Sequence, residues 1–182
     1  MIVTPRIMVR IVAIVVAAML LQLSFFSQVE VLQTSPDILP AVAVSLGLLG
    51  GSLAGAVSGF AIGLLLDCLI VEALGASSMV LLSVGYLAGV YRERFDVTNS
   101  LVPPLLCMGL TLLAEASFAA LQLMLGVDAP ISALIVRDMV IKSIFAFFLG
   151  VPIYLGIRRA LRPALIEDQA VRRSAQPRMM GA

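Results

Sequence analysis

An all-α membrane protein, built as a six-transmembrane-helix bundle with both termini cytoplasmic, is the fold class this sequence predicts. Three observations carry that reading: the composition, the lengths of the apolar runs and the placement of the arginines. Of 182 residues, 61% are hydrophobic and 13% are charged, and the mean hydropathy is +1.10. A soluble domain is roughly half apolar, so this chain is expected to sit in membrane lipid. Its apolar runs approach the ~20 residues that a helix needs to cross a hydrocarbon core of about 30 Å.

The first span is expected over Ile11 to Phe26, preceded by Arg6 and Arg10 and interrupted only by the polar residues Gln22 and Ser24. A signal peptide has similar flanks, but no small-x-small cleavage site follows and further apolar runs come soon after. Gln28 to Asp37 is a polar connection in which Pro36 breaks helix. Ile38 to Val71 then continues with Asp67 as its only charge. As one helix it would be roughly 51 Å long, too long for a single crossing. The Gly50-Gly51-Ser52 cluster is the expected break, ending a second span near Leu49 and opening a third near Leu53.

A fourth span fits Ser77 to Tyr91, closed by Arg92-Glu93-Arg94. The fifth fits Leu101 to Leu125, entered through Pro103-Pro104 in its first turn, where proline is tolerated. Gly126 to Pro130 turns the chain into a sixth span, Met139 to Ile157, with an extension back toward Ile131 and a kink expected at Pro152. Residues 1–162 thus read as one integral membrane helical domain. Residues 163–182 read as a polar cytoplasmic tail, disordered at its end.

Orientation follows from the basic residues, because cytoplasmic flanks retain Lys and Arg. With six spans and both ends inside, Arg6, Arg10, Arg92, Arg94 and the six arginines after the last span fall on one side, ten of the twelve basic residues. Glu30, Asp37, Glu72 and Asp128 fall on the other. A five-span layout would put one arginine-rich end outside.

Two features could carry function. Gly51, Gly55, Gly59 and Gly63 recur every four residues, Asp67 continues the spacing, and Gly85 and Gly89 repeat it in the fourth span, with Ala13 and Ala17 a weaker echo in the first. Small residues at this interval let helix backbones approach closely, either within the bundle or against a partner helix. The second feature is the set of ionisable residues inside apolar runs: Asp67, Glu115, Arg137, Asp138 and Lys142. A charge at the bilayer centre costs upward of about 3 kcal/mol, so each needs a partner or a wet cavity. Folding the fifth span back on the sixth sets Glu115 beside Lys142, with Arg137 as an alternative partner. Asp138 and Lys142 could instead pair along one helix, being four residues apart with the acid first.

Chemistry is not expected of this chain. Histidine is absent, which removes the commonest general base and neutral metal ligand. No nucleophile with a base, no metal-ligand spacing and no phosphate loop stands out, so no cofactor is expected. Cys68 and Cys107, each within an apolar run, read as small hydrophobes packed in helices. No nucleic-acid partner is expected either.

The order of motifs resembles a known family. Pro36-Asp37 opening the second span, Gly59-Phe60-x-x-Gly63-Leu64-Leu65-Leu66-Asp67 in the third, Leu74-Gly75 after it and Gly85-Tyr86-Leu87 in the fourth are together similar to MreD, the bacterial rod shape-determining membrane protein family. The second half of the chain matches in topology only. The resemblance implies a non-enzymatic scaffold of the inner membrane, in the elongation machinery that directs peptidoglycan synthesis. It implies as partners an MreC-like protein and, through it, the actin-like MreB, RodA and a class B penicillin-binding protein. A rival from another class is the substrate-binding S-component of an energy-coupling vitamin transporter, which would dock through the Ala13-x-x-x-Ala17 face. The lack of Trp and the three Tyr count against it.

Overall fold

The computed structural model describes residues 5–26, 37–69, 75–95, 102–124 and 133–175. Among these residues there are six α-helices and no strand. They are α1 (Pro5–Leu21), which ends in a π-helical turn (Gln22–Phe26), α2 (Leu39–Gly50), α3 (Ser52–Leu69), α4 (Ala76–Arg94), α5 (Val102–Met124) and α6 (Ala133–Ala175). The expected turns at residues 28–36 and 126–130 lie outside the described residues.

The long apolar run divides at a single residue, Gly51, whose φ of 92° is open to glycine and strained for other side chains. Its N–H donates to the Gly47 carbonyl at 2.8 Å, closing α2, and α3 starts on the next residue. The resulting α2 is short and apolar on every side, and Leu39 to Leu49 are all buried. A helix hydrophobic all round belongs in an interior. Here α2 is the centre of the bundle, packed by α3, α4, α5 and α6. Its serine, Ser45, is satisfied locally by donating to the Ala41 carbonyl at 2.7 Å.

Three helices are long and apolar enough to cross a membrane: Ser52–Leu69, Val102–Met124 and Val136–Leu161 within α6. Val9–Ser24 and Leu39–Gly50 are shorter apolar helices, while α4 carries three serines and ends in Arg92-Glu93-Arg94. At its far end α6 departs from the expected polar tail. It continues through Pro152 and Pro163 to Ala175, and the segment after Pro163 is rich in Ala, Leu, Glu, Gln and Arg, all good helix formers. Cys107 is buried as expected, but Cys68 is exposed.

Among the described residues, the most extensive helix contact joins α3 to α4. A Cβ placed on Gly55 would run into the Gly85 carbonyl oxygen, one on Gly59 into the Leu81 carbonyl, one on Gly63 into Ser77 and Ser78, and one on Gly89 into Gly51 and Ser52. The two helices therefore touch backbone to backbone, antiparallel. On the other side of the contact, a Cβ on Gly47 of α2 would also meet the Gly85 carbonyl. Ala13 and Ala17, by contrast, are exposed, and α1 turns Val15, Ala18 and Met19 inward instead.

Glycines in contact and glycines in the open should respond in opposite ways. Gly59→Ala is expected to lower the melting temperature of the detergent-solubilised chain, at a cost of about 1–3 kcal/mol for forcing backbones apart. Gly109→Ala and Gly156→Ala, where a Cβ would meet nothing within 4 Å, are expected to be neutral or to stabilise by up to about 1 kcal/mol through reduced unfolded-state freedom.

Candidate functional site

The antiparallel contact of α3 and α4 lets each helix cap the other. An α-helix begins with N–H groups that have no intrahelical acceptor, and a carboxylate there gains from both hydrogen bonds and the helix dipole. Asp67, near the end of α3, supplies that carboxylate to α4. It accepts from the N–H of Gly75 at 2.9 Å, of Ser78 at 3.1 Å and of Ser77 at 3.3 Å, and from the Ser78 hydroxyl at 2.7 Å. Glu93, near the end of α4, does the same for α3, accepting from the Ser52 N–H at 2.9 Å and the Ser52 hydroxyl at 2.7 Å. Those two bonds hold the exposed Glu93 carboxyl below the usual range. Beside it, Arg92 donates to the Leu49 carbonyl at the end of α2. The last turn of α4 thus closes both sides of the Gly51 break.

The second pair of helices, α5 and α6, brings Glu115 and Lys142 together. Lys142 Nζ donates to both Glu115 carboxylate oxygens, at 3.0 and 3.1 Å, with side chains 27% and 17% exposed for Lys142 and Glu115. Deeper in the same hairpin, Gly150 lies against Cys107 and Pro104. Asp138 lies 3.9 Å from Arg137, and both are substantially exposed.

Asp37, on the segment before α2, faces this ion pair. One of its oxygens accepts from the Leu39 N–H at 3.0 Å, which caps α2. Burial raises its carboxyl from the ordinary 3.8 to about 6, against the lowering effect of the Leu39 bond; Glu115 adds to the rise and Lys142 opposes it. The neighbouring Ile38 N–H donates to Gln22 Oε1 at 3.0 Å, tying the end of α1 to the start of α2.

These groups surround a cavity of about 230 Å³. Its polar lining is Asp37, Asp67, Ser77, Glu115 and Lys142, and Pro40, Leu66, Val80 and Phe118 contribute to an apolar wall. Every lining residue comes from the same end of the bundle: the starts of α2, α4 and α6 and the later parts of α3 and α5. The volume is below the ~300–1,000 Å³ of pockets for drug-sized ligands, so the cavity suits a small group. Among the described residues, no cluster of three or more His, Cys, Asp or Glu side chains could hold a metal ion.

Of the residues singled out in the sequence, Gly55, Gly59, Gly63, Gly85 and Gly89 lie in the α3–α4 contact, while Asp67, Glu115 and Lys142 line the cavity. Asp138 does not line it. Asp37 was not among the candidates, because it precedes the apolar run and reads as a loop charge. The signal that could have found it is the helix-capping pattern Asp37-x-Leu39-Pro40, with proline in the first turn.

Two measurements bear on the cavity. For the ion pair, Glu115→Gln and Lys142→Met are each expected to cost about 1–3 kcal/mol of stability, and the double variant less than the sum of the two. Additive losses in a denaturation cycle would contradict direct coupling, and Asp138→Asn is expected to be mild. For Asp37, the folded chain binds the proton more tightly than the unfolded chain does. Stability from this group is therefore fully present below about pH 4 and lost as the pH rises toward 6. The difference in melting temperature between wild type and Asp37→Asn should change over that window and be flat above it.

Comparison with known protein families matches residues 4–160 to the family described as rod shape-determining protein MreD. No curated protein and no solved structure gives a match.

Proposed function

The chain belongs to the MreD family of rod shape-determining proteins, and on that premise we propose that it is a non-enzymatic scaffold subunit of the cell-wall elongation machinery. It sits in the cytoplasmic membrane of a rod-shaped bacterium as a six-span protein with both termini inside. It works with an MreC-like protein and, through it, with MreB, RodA and a class B penicillin-binding protein.

The observation that carries the reading is the extent of the family match, which runs from the start of α1 to the far part of α6. The helix directions support the topology. Because α3 is antiparallel to α4 and α5 to α6, Arg92 and Arg94 fall at the same end of the bundle as Arg158 and Arg159, and the cavity carboxylates fall at the other. Retention of basic residues in the cytoplasm makes the arginine end the inner one. The packing supports the scaffold role, since the conspicuous polar side chains cap helices or pair across them.

Alkaline phosphatase, active only outside the cytoplasm, should be inactive when fused after Pro177 and active when fused near Asp128. The reverse at either site contradicts the six-span arrangement. Depleting the protein in its own rod-shaped host should round the cells, and rescue by the wild-type chain should restore the cylinder. Cells that keep their shape and wall growth would overturn the functional reading.

A further inference from the structure

We propose that the cavity between the helix ends receives one organic cation, a primary ammonium or a guanidinium on a short alkyl stem. This goes beyond the scaffold reading and does not depend on it.

The argument starts from which charges around the cavity are already satisfied. Asp67 accepts four hydrogen bonds from the first turn of α4 and faces the positive end of that helix dipole. Glu115 holds Lys142 with both oxygens. Asp37 uses one oxygen on the Leu39 N–H, and no side chain among the described residues donates to the other. Lys142, the cation in the lining, therefore stands among three carboxylates and bonds to only one of them. Among the described residues the lining thus sets three carboxylates against one ammonium, and Asp37 accepts the fewest hydrogen bonds of the three. A half-buried carboxylate in that position is stabilised by a cation that brings its own hydrogen-bond donors.

Size and shape narrow the chemistry. A volume of about 230 Å³ holds roughly eight waters at 30 Å³ each, or an organic group of similar bulk. Beside the charges, the apolar side chains of Leu66, Val80 and Phe118 also line the cavity. A bare inorganic cation would leave that wall against water, whereas an alkyl stem covers it while its head reaches Asp37, as lysine and arginine stems do on apolar surfaces. The same cation can come as a free small amine or as a basic side chain of a partner protein.

The test uses the full chain, purified in detergent at pH 8, titrated with n-butylammonium and n-butylguanidinium and with n-butanol and n-butyrate as controls. Saturable binding of the two cations and not of the controls is expected by calorimetry. Asp37→Asn should weaken it about tenfold or more, the loss of a charge-assisted hydrogen bond, and Asp37→Glu should retain it. If Asp37→Asn does not fold, Ala114→Val decides, because it narrows the cavity and keeps every charge; it should weaken binding too. Equal binding of butanol, or affinity unchanged by either variant, overturns the proposal. To separate the sources, a photo-crosslinking residue replaces Phe118 in cells. A protein adduct suppressed by excess n-butylammonium assigns the cation to a partner's side chain, and recovery of a low-mass amine with no protein adduct assigns it to a free ligand.

Discussion

The backbone-to-backbone contact of α3 and α4 is the constraint on which the rest of the structure depends. Where lipid is as apolar as leucine, helices gain little from hiding apolar surface from one another, and close packing with polar bonding must hold them. Gly55, Gly59 and Gly63 on one helix and Gly85 and Gly89 on the other remove the side chains that would keep the axes apart. The contact also fixes the register. With Gly55 against Gly85 and Gly63 against Ser78, Asp67 reaches the first turn of α4 and Glu93 the first turn of α3. A slip of one turn would separate both carboxylates from the N–H groups they cap, so packing and capping select the same alignment.

The central helix follows from the same contact. α2 is 12 residues long, roughly 18 Å at 1.5 Å per residue, too short to cross a hydrocarbon core by itself. It is buried in protein, with Gly47 against Gly85 and the last turn of α4 closing its far end through Arg92. At its near end the short helix leaves the space that α5 and α6 border with Glu115 and Lys142. The cavity is thus a consequence of a half-length helix at the centre of longer ones. Its polar lining is held by rigid helix ends, and the ion pair across α5 and α6 keeps two charges from facing lipid alone.

Much of this was legible in the sequence, for identifiable reasons. Apolar runs and arginine flanks mark helices strongly, and a doubled glycine inside an over-long run marks a break, which the structure places on Gly51. The spacing of Gly55, Gly59 and Gly63 is visible as a stripe; which helix it faces is a tertiary fact. The depth of Glu115 relative to Lys142 could be read because few residues separate the two apolar runs in the sequence. Asp67 was harder, since three of its four hydrogen bonds come from backbone N–H groups, which leave no trace in side-chain spacing. Asp37 was hidden by its position outside the apolar run. Helix formation beyond Pro163 was obscured because proline and polarity read as a stop, although the residues that follow favour helix.

The contact at the centre of this account can be measured directly. In the full chain labelled with ¹³C at glycine alone and reconstituted in bilayers, solid-state NMR reads which glycines lie within a few ångströms of one another. Short-mixing cross-peaks linking Gly55 to Gly85 and Gly47 to Gly85 are predicted, since an added Cβ at Gly47 or Gly55 would meet the Gly85 carbonyl. Glycine cross-peaks confined to neighbours along one helix, with none between α3 and α4, would contradict it.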